Sequence, residues 1–298
     1  MTHQRPHRAR AATEEKTGRM RDRSRPPAPE PLPYPVVDNH CHLDIADGDD
    51  WLSVPDALAA ASAVGVPRIV QVGADLVGSR WSVRTASEHE AIVAAVALHP
   101  NEAPVLSADG RLWEEFAEIE QLASSSPRVR AVGETGLDYF RTGEEGRDAQ
   151  EQSFRAHIRL AAELGKTLVI HDREAHADVL RVLDDEPNPP RTVLHCFSGD
   201  ADFARRCLDR GAYLSFAGTV TFANAAPLRE ALRVTPLNRL LVETDAPFLT
   251  PVPYRGRPNA SYLVPHTVRA VAAVLGIDVE RVCRAVDETT DEAFGGRW

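Results

Sequence analysis

Eight short, β-rich apolar runs recur along this chain, separated by stretches of helical length, and that rhythm leaves few architectures open. The runs are Val36–Val37, Arg68–Val72, Ile92–Leu98, Val129–Val132, Thr167–Ile170, Thr192–Leu194, Ala212–Phe216 and Arg239–Val242. Amphipathic patterns lie between them at Pro55–Val64, Leu112–Ala123, Asp148–Leu164, Ala175–Leu183 and Ala201–Leu208, and two more, Leu263–Leu275 and Val279–Val286, follow the last run. An apolar run without alternation describes a strand buried on both faces, and such strands joined by helices run parallel. Eight β/α units close an α/β fold of the (β/α)8 TIM-barrel type. Gly65, Gly165 and Gly211 fall between a helical pattern and the next run, where C-terminal caps belong.

The barrel is expected over residues 34–298. Residues 1–33 differ in kind: they carry Arg5, Arg8, Arg10, Arg19, Arg21, Arg23 and Arg25, then Pro26-Pro27-Ala28-Pro29, and almost no large apolar side chain. Such a segment cannot build a core of its own, so a disordered basic tail is expected, either a nucleic-acid-binding arm or a solvated extension. It lacks the apolar stretch of a secretory signal, and no run elsewhere is long and apolar enough to cross a bilayer. The formal charge of −10 argues against indiscriminate attraction to nucleic acid and suits a site that gathers cations. Cys41, Cys196, Cys207 and Cys283 match neither a zinc-binding pattern nor a disulfide scaffold, and buried reduced thiols in a cytoplasmic protein are expected.

Chemistry in such a barrel collects where the strands end. The first run leads into His40 and His42, which alternation places on one face with Cys41 on the other. Later runs end in His99, Glu134, His171, His195 and Asp245. His89, His157, His176 and His266 fall in helical patterns, where surface or packing roles are expected. Converging imidazoles and carboxylates exceed what one tetrahedral zinc needs and suit two divalent ions bridged by a carboxylate. The expected assignment gives His40, His42 and Asp245 to one ion, His171 and His195 to the other, and Glu134 to the bridge. Asp245 and Glu134 are the expected catalytic carboxylates, with Asp245 taking or passing the proton of an activated water. His99, at the mouth but outside this set, is expected to touch substrate oxygen or to be a satisfied structural histidine.

The segments Asp38-Asn39-His40-Cys41-His42, Gly133-Glu134-Thr135-Gly136-Leu137-Asp138-Tyr139, Ile170-His171-Asp172-Arg173, His195-Cys196-Phe197-Ser198-Gly199 and Glu243-Thr244-Asp245-Ala246-Pro247-Phe248-Leu249 resemble, in order, the motifs of the TatD family of metal-dependent deoxyribonucleases. The resemblance runs from about Val36 to the C-terminus and excludes the basic tail. It implies a metal-dependent hydrolase barrel of the amidohydrolase type, divalent ions on the matched donors, and hydrolysis of DNA phosphodiesters, with exonuclease action on single-stranded ends expected. The proline-stiffened loop Pro251–Asn259 adds Arg257 for phosphate and Tyr254 for base stacking, and Arg141 is a further phosphate candidate; a surface salt bridge is the alternative for each arginine. The same donors would also polarise a carbonyl, so an ester or amide hydrolase such as a D-aminoacyl-tRNA deacylase is the alternative function. Mg²⁺, Mn²⁺ and Zn²⁺ all remain open, and no obligate protein partner is evident.

Overall fold

The computed structural model describes residues 6–13, 18–49 and 51–298. The eight apolar runs become eight parallel strands: β1 (Val37–Cys41), β2 (Arg68–Gly73), β3 (Ile92–Val96), β4 (Val129–Asp138), β5 (Thr167–Arg173), β6 (Arg191–Leu194), β7 (Tyr213–Phe216) and β8 (Leu240–Val242). Each pairs with its sequence neighbours in a ladder from β1 to β8. The ring closes through side chains and single backbone bonds. Asn39 Nδ2 donates to the Val242 carbonyl at 2.9 Å, the Thr244 N–H and hydroxyl donate to Asp38 at 2.9 and 2.6 Å, and the Asp245 N–H donates to the His40 carbonyl at 2.9 Å. The result is a (β/α)8 barrel.

Alternation along the strands sorts apolar side chains into two shells. Val70, Val72, Val93, Ala95, Ala131, Val169, Val193 and Leu241 fill the barrel, and Ala293 and Phe294 cap this inner cluster. Ile69, Ile92, Leu168, Ile170 and Leu214 point outward into the layer shared with the helices. The helices are α1 (Val54–Ala63), α2 (Leu76–Glu88), α3 (Ala103–Ala108), α4 (Leu112–Ser124), α5 (Glu144–Glu163), α6 (His176–Asp185), α7 (Ala201–Asp209), α8 (Ala226–Val234), α9 (Val264–Leu275) and α10 (Val279–Ala293). Side-chain caps start several of them: Ser53 accepts from the Asp56 N–H, Asp75 from Gly78, and Asp200 from Asp202 and Phe203. The expected helices are present, with α5 and α10 longer than their apolar periodicity indicates. Three helices, α2, α3 and α8, are additional to those the sequence pattern predicts. His89 is the C-cap of α2 rather than a helical residue.

The N-terminal segment corrects an expectation. Instead of a disordered tail, residues 6–13 and 18–33 lie along the barrel. Arg8–Ala9 pairs in parallel with Ile45–Ala46 just beyond β1. Arg21 is buried and forms a two-pronged ion pair with Asp47 at 3.0 and 2.6 Å, Arg10 joins the same carboxylate at 3.3 Å, and Arg25 donates to the Asp47 carbonyl at 2.6 Å. Guanidinium-to-carboxylate and guanidinium-to-carbonyl bonds therefore do what apolar burial cannot do for this composition. Arg5 lies outside the described residues.

Candidate metal centre

Glu134 sits at the middle of the barrel mouth, where β4 slips register against β5 between Val132 and Thr135. An irregularity of this kind re-aims the side chain it carries. Close approach of the two strands here depends on Gly136, at φ +140°, where a Cβ would lie only 2.0 Å from the His171 carbonyl oxygen. Glu134 Oε1 lies 3.3 Å from His42 Nε2 and 3.5 Å from His40 Nε2. Its other oxygen, Oε2, faces a different set: His195 Nε2 at 2.8 Å, His171 Nδ1 at 3.3 Å and His99 Nε2 at 3.7 Å. Asp245 completes the first side, with Oδ1 3.6 Å from His42 Nε2 and 3.9 Å from His40 Nε2. Asp245 holds φ +56° and Cys196, just after His195, φ +42°, so two strand ends turn through the left-handed region as they enter the site.

All six expected donors, His40, His42, Glu134, His171, His195 and Asp245, are thus brought together. Three triads have donor atoms within 4.8 Å of one another: His40–His42–Asp245, His40–Glu134–His195 and His99–Glu134–His171. The first matches the expected set for one ion. The third contains His99, which sequence reasoning placed with the substrate; its ring packs edge-on against His171 with centroids 4.5 Å apart.

The surroundings fix which nitrogen His42 presents. His42 Nδ1 lies 2.9 Å from the Val72 carbonyl, which can only accept, so Nδ1 carries the proton and Nε2 offers its lone pair to the centre. That Nε2 lies 3.3 Å from His40 Nε2, and both face carboxylate oxygens. Burial works against charge on His42 and His195, but Asp245 and Glu134 hold His42 protonated well above the ordinary range, and Glu134 holds His195 up to about 10. His171 is also raised, by Asp138 and Glu134 against burial, whereas burial and neighbouring His195 lower His40, and burial takes His99 down to about 3. Glu134 and Asp245 are both held ionised, burial being outweighed by the imidazoles around them. Protons here stand where a divalent cation would, because cation binding deprotonates imidazole ligands. The donor set, two carboxylates among converging imidazoles, fits such an ion on chemical grounds.

A second ring of residues escaped assignment from sequence. Asp138 Oδ2 lies 3.3 Å from His171 Nε2 and accepts from Asn101 at 3.1 Å, so His171 is gripped on both nitrogens. Glu243 accepts from the Cys196 N–H at 2.7 Å and from the Ser215 hydroxyl, and its Oε1 lies 3.4 Å from His195 Nδ1. Asp38, buried and pushed up to about 6 by that burial, ties β1 to Thr244. Their signal in sequence was a carboxylate next to a donor at a strand end, which resembles an ordinary turn residue.

The expected substrate contacts fare differently. Arg141 is exposed on the loop after β4, its N–H donating to Asp138 at 2.9 Å. Tyr254 is half-buried, edge-on to His266 with centroids 5.7 Å apart. Arg257 shows the salt-bridge alternative: its guanidinium pairs with Asp22 at 3.4 Å and donates to the Ser24 carbonyl and hydroxyl at 3.0 Å each and to the Arg25 carbonyl at 2.9 Å. The N-terminal segment, whose docking the sequence did not predict, takes up its donors. His157 is a packing residue, buried and accepting from the Leu98 N–H at 3.1 Å. All four cysteines are free thiols.

Residues 37–295 match a family model described as TatD related DNase. The metal-dependent hydrolase TatD of Mycobacterium tuberculosis is 44% identical over 267 residues, covering 88% of this chain and 99% of its own. A protein of Citrobacter rodentium named 3′-5′ ssDNA/RNA exonuclease TatD is 33% identical over 247 residues, covering 80% of this chain and 91% of its own. Among solved structures, a TatD homolog from Escherichia coli, YJJV, superposes with a TM-score of 0.78 at 24% identity over 88% of this chain and 98% of its own.

Proposed function

The chain belongs to the TatD-related DNase family of metal-dependent hydrolases, and from that premise we propose that it hydrolyses DNA phosphodiester bonds, acting as an exonuclease on single-stranded ends. The observation that carries the proposal is the position of Glu134, with one oxygen turned to His40 and His42 and the other to His171, His195 and His99. On this reading His40, His42 and Asp245 would hold one divalent ion and His171 and His195 a second, with Glu134 offering an oxygen to each set; when bound, such ions would supply a nucleophilic water near neutral pH and offset charge developing at phosphorus. Asp245 is the more accessible of the two carboxylates, 13% exposed against 4% for Glu134, which suits it to accept and hand on the proton while Glu134 holds the frame. Asp138 and the Val72 carbonyl keep the His171 and His42 rings aimed. The name of the Citrobacter relative supports a single-stranded nucleic acid as substrate. Free thiols at all four cysteines suit a reducing compartment, so the proposal includes the cytoplasm.

The test is degradation of end-labelled single-stranded DNA. EDTA should abolish it, and Mg²⁺ or Mn²⁺ should restore it. Purified, metal-loaded protein that leaves such DNA intact would overturn the proposal; release of product from ester-linked substrates without strand cutting would favour the acyl hydrolase instead.

A further inference from the structure

Arg173 ends β5 two residues beyond His171, on the same face of the strand. Among the described residues its guanidinium makes no hydrogen bond and no ion pair; its central carbon lies over the ring of Phe140, 3.8 Å from the centroid. Asp172, Asp138 and Asp178 are committed elsewhere, and the adjacent Glu174, exposed and at φ +59°, makes no ion pair with it. Asp172 accepts from the Ala175 N–H at 3.3 Å and pairs with His176 at 2.7 Å. Asp138 holds His171, Asn101 and the Arg141 N–H, and Asp178 holds the Tyr139 hydroxyl and Arg181. In a chain of net charge −10, a cation left without a carboxylate beside a catalytic mouth is the exception. Phe140, just past the end of the neighbouring β4, is a large aromatic 44% exposed. The backbone ties the two together: β4 and β5 pair Asp138 with Arg173, and the Tyr139 N–H donates to the Arg173 carbonyl at 2.9 Å. β5 pairs along Thr167–Ile170 with β6, so Arg173 ends the strand beside the one that leads into His195 and Cys196.

We propose that Arg173, held over the Phe140 ring, is a nucleotide subsite: its free guanidinium donors bind a backbone phosphate of the strand and the exposed aromatic supports the adjoining base. A guanidinium fork matches two phosphate oxygens, and stacking fixes its plane without consuming its donors. An aromatic beside it accepts any base, as expected of a binder without sequence preference. The inference rests on the nucleic-acid reading of the metal centre and adds to it a residue pair that positions substrate.

The experiment is fluorescence anisotropy of a short labelled oligothymidylate with the full chain in EDTA, where no cutting occurs, followed by turnover with Mn²⁺. Arg173→Gln should weaken binding about tenfold and reduce the dependence of log affinity on log salt by about 0.7, the value for one phosphate contact on a single strand. Phe140→Leu should weaken binding about tenfold with the salt dependence retained, because only stacking is lost. In turnover, the Arg173→Gln loss on the oligonucleotide should exceed its loss on bis(4-nitrophenyl) phosphate at least fivefold. Unchanged affinity and unchanged salt dependence in Arg173→Gln would overturn the inference, as would equal losses on both substrates. Should Arg173→Gln not fold, Arg173→Lys decides the matter: charge without the flat fork should keep the salt dependence and still bind more weakly. Wild-type protein that binds the oligonucleotide but never cuts it would refute the nuclease reading while leaving the subsite intact; cutting with an unaffected Arg173→Gln would do the reverse.

Discussion

Substituting Asp47 with alanine should release the N-terminal segment while leaving the barrel folded. The Asp47 side chain is 1% exposed and the Arg21 side chain 4%, so their ion pair is out of water. Among the described residues, removing the carboxylate leaves Arg21 with only the Ala11 and Gly256 carbonyls and Arg10 with only the Pro247 carbonyl, so neither cation keeps an ion-pair partner. Breaking a buried pair by removing one member costs about 3–5 kcal/mol, because an uncompensated charge stays behind. Here the chain has a cheaper response than enduring that cost: the segment can leave, and both guanidinium groups then regain water. The penalty falls on docking, not on global unfolding, and the population of the undocked form should rise roughly 10²–10⁴-fold, limited by the docking free energy of the wild type. Brief trypsin digestion under native conditions, followed by mass spectrometry, reads this directly, since cleavage after Arg10, Arg21 or Arg23 requires the segment to open. The thermal midpoint of the barrel should hardly move. Arg10→Ala, which spares the Arg21 pair, should accelerate cleavage much less. If Asp47→Ala is cut within threefold of the wild-type rate, the ion pair does not hold the segment down and the argument fails.

Glu134→Ala should reduce bound metal by at least one equivalent and lower turnover on single-stranded DNA by roughly 10³-fold or more, given what a displaced or missing ion withholds; elemental analysis showing a full complement of metal would refute the bridging role. His157, outside the donor set, supplies a second pH dependence. Burial lowers it to about 4 from an ordinary 6.5, so the folded state resists a proton that the unfolded chain takes up. Its contribution to stability is complete above pH 6.5 and lost as pH falls toward 4, amounting to about 3 kcal/mol by pH 4. Urea titrations at pH 7 and pH 4.5 should therefore diverge more in the wild type than in His157→Gln, and equal divergence would count against the assignment.

The strands were legible because each is a solid apolar run, and a parallel strand covered on both sides can hardly read otherwise. Helix α2 was not, because its buried face is made of Gly78, Ser79, Ser82 and Thr85 beside Trp81 and Ala86, so no apolar stripe marks it. Ser79 and Ser82 satisfy their hydroxyls on the Ala97 and Gly78 carbonyls, which lets a polar face pack tightly on β2 and β3. The six donors were legible because they stand at strand ends, and strand ends converge whatever the intervening sequence. His99 was harder, since membership of a donor triad depends on ring orientation. The N-terminal segment was misjudged for a definite reason: composition reports what a segment can bury, and this one is held by arginine bonded to Asp47 and to carbonyls, partners that no periodicity reveals. Arg257 takes the salt-bridge alternative, pairing with Asp22 at 3.4 Å while its other donors go to Ser24 and Arg25.

The junction of the first and last strands carries a consequence for how this protein can change. Asn39 and Asp38 reach across to Val242 and Thr244, and the His40 carbonyl receives the Asp245 N–H. Histidine donors at one end of the sequence are thereby spaced against an aspartate two hundred residues away by the very bonds that complete the cylinder. A descendant that loosened this joint would forfeit its chemistry while its ladders still stood, and one that kept the chemistry must inherit the joint as well.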